Sequence, residues 1–353
     1  MKKLFLLLVA ATLCATATFA QSSMLATLSH EGQISTYYGA TALRDAYNAA
    51  DNGDVITLSS GTFNAVNFEK AVTVRGAGMR PDTISNSLPT IITGDFSINI
   101  PDSVEQKLII EGIFHHFVIT IYGTLQNSSF LKSRFRTITA NSNEARMKNL
   151  SFIHCYITGR FILPSESSAT FVNCYVKDAY SRSTSSSNIE FTNCMVISTG
   201  ESGIRFDGIY RYPRLINIES STFNNCIIYG NHGNGDDVIN SNSIAFNCIG
   251  CGLGNNNIFQ NVYNSTNTTI TDGWDSIFKT FRGVFNDDQE TLELTDEAKD
   301  KYLGMDGTQV GIYGGNLPFS STPTNPQITK CNVAAKSTAD GKLSVDITVN
   351  GAE

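Results

Sequence analysis

Six ionisable residues lie in three successive segments near the middle of this chain: Lys177 and Asp178, then Arg205 and Asp207, then Asp236 and Asp237. Carboxylates set near an amine or a guanidinium are the material of general acid–base chemistry, in which one group removes a proton and another stabilises charge. Two carboxylates facing a common bond can hydrolyse it. Asp236 and Asp237 close the glycine-rich run Asn231-His232-Gly233-Asn234-Gly235, a weak candidate for calcium, which takes carboxylate oxygens. Around Arg205 the chain also gathers Tyr210, Arg211, Tyr212 and Arg214. Arginine grips planar anions bidentately, and tyrosine offers a flat ring for stacking. The plainer reading is a set of solvated loops, since connections between strands are polar in any case.

Whether these groups meet depends on what holds them. Four segments share one pattern: Phe152-Ile153-His154-Cys155, Phe171-Val172-Asn173-Cys174, Phe191-Thr192-Asn193-Cys194 and Phe223-Asn224-Asn225-Cys226. Ala245-Phe246-Asn247-Cys248 keeps Asn-Cys, and Phe130-Leu131-Lys132-Ser133 keeps the Phe with Ser in the cysteine place. A period near twenty residues with one long interval marks a solenoid carrying an insertion. The units are rich in β-branched and aromatic residues and alternate with period two, so they are strands. Phe points inward, Asn turns the chain through the left-handed region it tolerates, and Cys points inward again. Coils stacked at ~4.8 Å then place like on like. The spacing predicts a parallel β-helix from Asp54 to Asn286, with Asn173, Asn193 and Asn225 bonded to one another along the stack. Ser133 in the cysteine column points to side-chain size rather than metal or disulfide chemistry. Cys248-Ile249-Gly250-Cys251 is a lone C-x-x-C, and Cys251 with Cys331 could form a bridge to the C-terminal segment.

The residue after each cysteine points outward. Tyr156, Tyr175, Met195 and Ile227 therefore form an apolar stripe on the outside of the coil. Left open, Tyr156 and Tyr175 would be a stacking surface; the alternative is that the C-terminal hairpin or the inserted loop covers them.

The ends carry separate signals. Lys2-Lys3, an apolar run to Leu13 and Thr18-Phe19-Ala20 read as a secretory signal peptide over residues 1–20. Leu13 before Cys14 speaks against lipidation. Cleavage would lower the basic count from 25 to 23 against 32 acidic residues, a net charge of −9. Such acidity disfavours nucleic acid as a partner, and no other apolar run is long enough for a transmembrane segment. The chain thus reads as exported: periplasmic, cell-surface or secreted. Gly39 to Gly53 predicts an amphipathic helix with Leu43, Ala46, Tyr47 and Ala50 on one face, closing the open end of the coil. The β-helix with its cap occupies 21–316. Residues 317–353 form a Pro/Ser/Thr linker and a hairpin from Ile328 to Val349 turning at Asp340-Gly341, too small for its own core and expected to pack on the helix or on another chain.

Gly53-Asp54-Val55-Ile56-Thr57-Leu58, Arg75-Gly76-Ala77-Gly78, the Phe-x-Asn-Cys coils and Gly311-Ile312-Tyr313-Gly314-Gly315 together resemble the right-handed parallel β-helix proteins of pectate-lyase-like fold, nearest the exported members of the Bacteroidetes type. The resemblance implies an all-β solenoid and contact with extended polysaccharide along its flank. It does not fix an activity, because function lives in sites grafted on the fold. The lyases' signature strings around a catalytic arginine are absent here, as is the hydrolases' tight aspartate pairing apart from Asp236-Asp237. Non-catalytic, adhesin-like glycan binding leads. A polysaccharide lyase or glycoside hydrolase acting on an acidic polymer is the alternative, with Lys177, Arg205, Asp207, Asp236 and Asp237 as its catalytic candidates and Asp178, Arg205, Asp207, Tyr210, Arg211, Arg214, Tyr156 and Tyr175 holding the ligand. A structural part of a surface assembly, docked through the tail, is the third reading. No cofactor is expected, other than Ca²⁺ if the chain is a lyase.

Overall fold

The computed structural model describes residues 24–81, 87–142, 144–164, 166–181, 187–198, 204–206, 209–211, 221–230, 244–252, 266–270, 276–280, 292–322, 327–333, 336–338 and 340–350. They form a parallel β-solenoid of about 7 turns. One wall is an 11-stranded sheet and the other a 12-stranded sheet, and apart from a terminal antiparallel hairpin on the first their strands pair in parallel with counterparts on neighbouring coils.

The register places like on like. On the first wall Ile110, Phe130, Phe152, Phe171, Phe191, Phe223 and Ala245 are successive partners. The phenylalanine rings from Phe130 to Phe223 are fully buried and stack face to face, 4.7–5.0 Å between centroids. On the second wall the inward column runs Phe63, Ile92, His115, Phe135, Ile157, Val176, Val196 and Ile228.

Cys155, Cys174, Cys194, Cys226 and Cys248 are free and buried, as the pattern predicts. Their role is more than size. The backbone N–H of Cys155 donates to the Sγ of Cys174 at 3.3 Å, that of Cys174 to Cys194 at 3.4 Å, and that of Cys226 to Cys248 at 3.3 Å. Each thiol lies within reach of two carbonyls, for Cys194 those of Thr192 and Phe171. Oxygen does the same work at both ends. The Ser133 hydroxyl accepts from Ile113 N–H and donates to Leu131 C=O, and Asn267 Oδ1 accepts from Cys248 N–H. The column position therefore needs a hydrogen-bonding atom, since an unmatched buried N–H is costly.

The open end is closed by β1 (Leu25–His30) and β2 (Gln33–Tyr38), an antiparallel hairpin extending the first wall that the repeat pattern did not foreshadow, and by α1 (Ala42–Ala49). The helix is shorter than Gly39 to Gly53, because Ala50 already leaves it in extended conformation. Its buried face is Ala42, Leu43, Ala46 and Tyr47. The Tyr47 hydroxyl accepts from Glu69 and Lys70 N–H at 2.6 and 2.7 Å, and Lys70 Nζ donates to Ala50 C=O at 2.6 Å, pinning the cap to the first coil. At the far end Gln327–Val333 and Val345–Asn350 pair antiparallel, with Asp340-Gly341 in the turn region as expected. Leu343 and, in the second strand, Val345, Ile347 and Val349 stay about half exposed, so these side chains are not packed on the solenoid, one of the two partners expected for the tail.

Phe191→Ala removes a ring stacked on both sides and should cost about 3–5 kcal/mol in urea unfolding. Cys194→Val should destabilise more than Cys194→Ser, by roughly 1–3 kcal/mol for the stranded Cys174 N–H, although valine is the more apolar replacement. Equal losses for the two variants would mean that the thiols only fill space.

Candidate functional site

Two stretches of the outer surface matter, one covered and one open. The covered stretch is the stripe of residues that follow the cysteines. Tyr156, Tyr175, Met195, Ile227 and Ile249 are buried. They share a second apolar cluster with Ile277, Phe278, Leu294, Ala298, Val310 and Ile312 of the C-terminal segment. The segment carries α2 (Asp296–Lys301), capped by the Thr295 side chain, which accepts from Ala298 N–H. Tyr156 stacks on Tyr175 at 5.3 Å, Phe319 meets Tyr156 edge-on at 5.0 Å, and the Arg80 guanidinium lies 4.3 Å from the centre of the Tyr156 ring. Of the two readings of Tyr156 and Tyr175, the covered one holds: the stripe is a seam, and residues 276–280 and 292–319 pack on it, while most of the inserted loop lies outside the described residues.

The turn residues fasten that cover. Lys132, His154, Asn173, Asn193, Asn225 and Asn247 all have φ between 45° and 54°, the left-handed turn the pattern predicts. Their side chains do not form the expected ladder. Asn173 Nδ2 donates to Ile312 and Gly314 C=O at 2.8 and 2.7 Å. Asn225 Oδ1 accepts from Met305 N–H at 3.1 Å, and the His154 ring bonds Leu317 C=O at 3.0 Å. The covering backbone offers donors and acceptors closer to hand than the next asparagine does.

The open stretch lies on the second wall, where Ile113–Ile121, Arg134–Ala140 and Tyr156–Leu163 run side by side. The pairing slips around Arg136: His115 and Ile157 pair with Phe135, whereas Val118 and Arg160 pair with Thr137. His116 and Phe117 on one side, and Thr158 and Gly159 on the other, thus oppose the single Arg136. Such bulges bend a strand and re-aim its side chains. A Cβ on Gly159 would sit 2.5 Å from the Arg136 carbonyl oxygen, so the close approach requires glycine. Asp95 holds the slipped strand by accepting from Val118 N–H at 2.9 Å.

The bulge gathers chemistry. His116 and Arg136 are exposed, as is Phe117, at 40%. Arg134, half-buried, lies with its guanidinium 4.8 Å from the centre of the Phe114 ring. Arg160 and Lys177 occupy outward places on the next two coils, with Asp178 beside Lys177. Four basic side chains and two phenylalanines therefore cover four coils, roughly 15 Å of solenoid, against Asp95 and Asp178, on a chain of net charge −7. Guanidinium groups and aromatic faces suit a ligand with planar anionic groups and apolar ring faces.

Of the residues singled out from sequence, Lys177 and Asp178 belong to this surface. Arg205 and Tyr210 are cross-strand partners in an antiparallel pair, Ile204–Phe206 with Ile209–Arg211, which fixes only the backbone of Arg205, Tyr210 and Arg211. Asp207, Arg214, Asp236 and Asp237 lie outside the described residues, and with them the candidate calcium pair. Among the described residues no three His, Cys, Asp or Glu side chains gather as metal ligands would, and no helix is long and apolar enough to cross a membrane. Phe114, His116, Phe117, Arg134, Arg136 and Arg160 were missed by sequence reasoning. Their one trace is Phe114-His115-His116-Phe117, where the period-two alternation changes phase. Comparison with protein families, with curated proteins and with solved structures gave no match.

Beneath the bulge His115 is fully buried, bonded through Nε2 to Gly94 C=O at 2.9 Å and edge-on to Phe96 at 4.6 Å. Burial pushes its pKa below the ordinary 6.5, against the smaller opposing pulls of the Gly94 bond and Asp95. Burial lowers His154 as well. The unfolded chain then takes up a proton near pH 6.5 that the folded chain refuses. The stability linked to these two histidines is full above that value and falls as pH drops through it toward the folded pKa, whereas His30, raised by its bond to Asp54, pulls the other way. Thermal unfolding between pH 7.5 and about 5 should show this decline, and His115→Phe should flatten it, leaving the share due to His154. An unchanged slope in His115→Phe would show that His115 is not the source.

Proposed function

We propose that this chain is an exported, non-catalytic β-solenoid of pectate-lyase-like type that binds an acidic polysaccharide along its second wall, across the bulge at Arg136. The observation that carries this reading is the array of Arg134, Arg136, Arg160 and Lys177 around Phe114 and Phe117, spread over neighbouring coils of an otherwise acidic chain. A flat wall with cations repeated along the coil axis suits a polymer whose charges also repeat. The aromatic rings supply faces on which pyranose rings stack. Arginine outnumbers lysine here, which fits bidentate recognition of carboxylate or sulfate groups rather than diffuse attraction. Binding of this kind needs no chemistry, and the leading role is attachment, as in an adhesin.

Calorimetry with pectins, alginates, glycosaminoglycans and a neutral glucan tests it. Acidic polymers should bind and the neutral one should not. The triple change Arg134→Ala, Arg136→Ala and Arg160→Ala should weaken binding at least about tenfold, the equivalent of 1.4 kcal/mol, and flatten its salt dependence. Full retention of binding would move the site to the insertion around Arg205, Arg211 and Arg214. Ultraviolet absorbance from an unsaturated product, or new reducing ends, would replace binding with lyase or hydrolase action.

A further inference from the structure

The first wall ends in β2, which pairs with β1 and, among the described residues, with no other strand. The direction of its backbone groups follows from the hairpin. His30 and Gln33 flank the two-residue turn Glu31-Gly32, and Gly39 N–H donates to Met24 C=O at 2.8 Å. Hydrogen bonding alternates along an antiparallel pair. The odd-numbered residues of β2 therefore bond to β1, and the N–H and C=O groups of Ile34, Thr36 and Tyr38 point away from the sheet. The side chains of these same three residues share the outer face. Ile34 is 73% exposed and Tyr38 65%, while Tyr37, on the opposite face, packs against the core.

Exposed edges are normally guarded by lysine, proline, a bulge or a covering element. β2 reads Gln33-Ile34-Ser35-Thr36-Tyr37-Tyr38 and has neither a charge nor a proline, and its pairing with β1 is unbroken. We propose that β2 is a self-association edge, pairing antiparallel with β2 of a second copy of this chain about a two-fold axis at Thr36. In that register Ile34 lies opposite Tyr38 of the second copy, Thr36 opposite its own counterpart, and Tyr38 opposite Ile34. All three are residues whose backbone groups point outward, so each pairing exchanges two N–H···O=C bonds. Aliphatic–aromatic pairs on one face add cross-strand packing. The charge pattern fits a second copy as well: the whole chain carries −7, yet two uncharged strands meet without opposing like charges. The first walls of the two copies then continue as one sheet through the joint. A single pair of strands buries less than the ~1,200 Å² of a standard stable interface, so association depends on concentration.

Self-association at β2 does not depend on glycan binding. Sedimentation velocity of the purified protein from low micromolar to several hundred micromolar tests it. The unaltered chain should shift from monomer towards twice its mass as concentration rises. Thr36→Lys sets two lysines opposite each other at the axis and should hold the protein monomeric, and Thr36→Glu should do the same. An equimolar mixture of the two variants should recover the dimer, because lysine then meets glutamate. Thr36 is exposed, so both variants should keep the circular dichroism and melting temperature of the parent. A monomer at every concentration, or association undiminished in Thr36→Lys, would overturn the proposal. So would a mixture that fails to associate.

Discussion

Everything in this molecule depends on coil-to-coil backbone pairing held in strict register. Parallel strands at the ladder spacing repeat each side chain directly above its predecessor, so a choice made at one position is imposed on a whole column. Phenylalanine on phenylalanine gives a stacked core, and thiol above thiol gives a second ladder of hydrogen bonds running with the backbone one. The same constraint governs the outside. An apolar residue after each cysteine becomes an apolar stripe that must be covered, and an arginine facing outward on successive coils becomes a charged wall.

The columns were legible because they are local repetitions. Phe152, Phe171, Phe191 and Phe223, the cysteines beside them and the left-handed turn at the asparagines follow from period and residue type alone. So do the terminal helix and the far hairpin, because Leu43, Ala46 and Tyr47 share a helical face and Asp340-Gly341 is a turn. What escaped is what depends on distant parts of the chain. No spacing tells Asn173 that its amide will find Ile312 and Gly314 rather than Asn193. The stripe of Tyr156 and Tyr175 calls for a cover, but nothing in its spacing says which distant segment supplies it. The site at Arg136 escaped for another reason: a bulge breaks the repeat that made the rest readable, and Phe117 faces outward only because one residue is out of phase.

The equivalence of sulfur and oxygen in the thiol column was half visible. Ser133 in line with five cysteines suggested a small side chain. The hydrogen bonds show the finer requirement, an atom that takes one N–H from the coil before and reaches a carbonyl of its own. Asn267 meets it at the other end with an amide oxygen.

That requirement bears on how such a chain matures. Each thiol is shielded only after the neighbouring coils have closed over it, and until then it is an ordinary reactive group. In an oxidising compartment, where disulfides form over seconds to hours, folding becomes a race between stacking and cross-linking. Neighbouring cysteines along the sequence are also neighbours in space, so a premature bond between two of them would trap adjacent coils with their N–H groups unanswered. The column rewards a chain that closes its coils quickly and in order, and it leaves these five thiols of the finished solenoid shielded from the redox state around them.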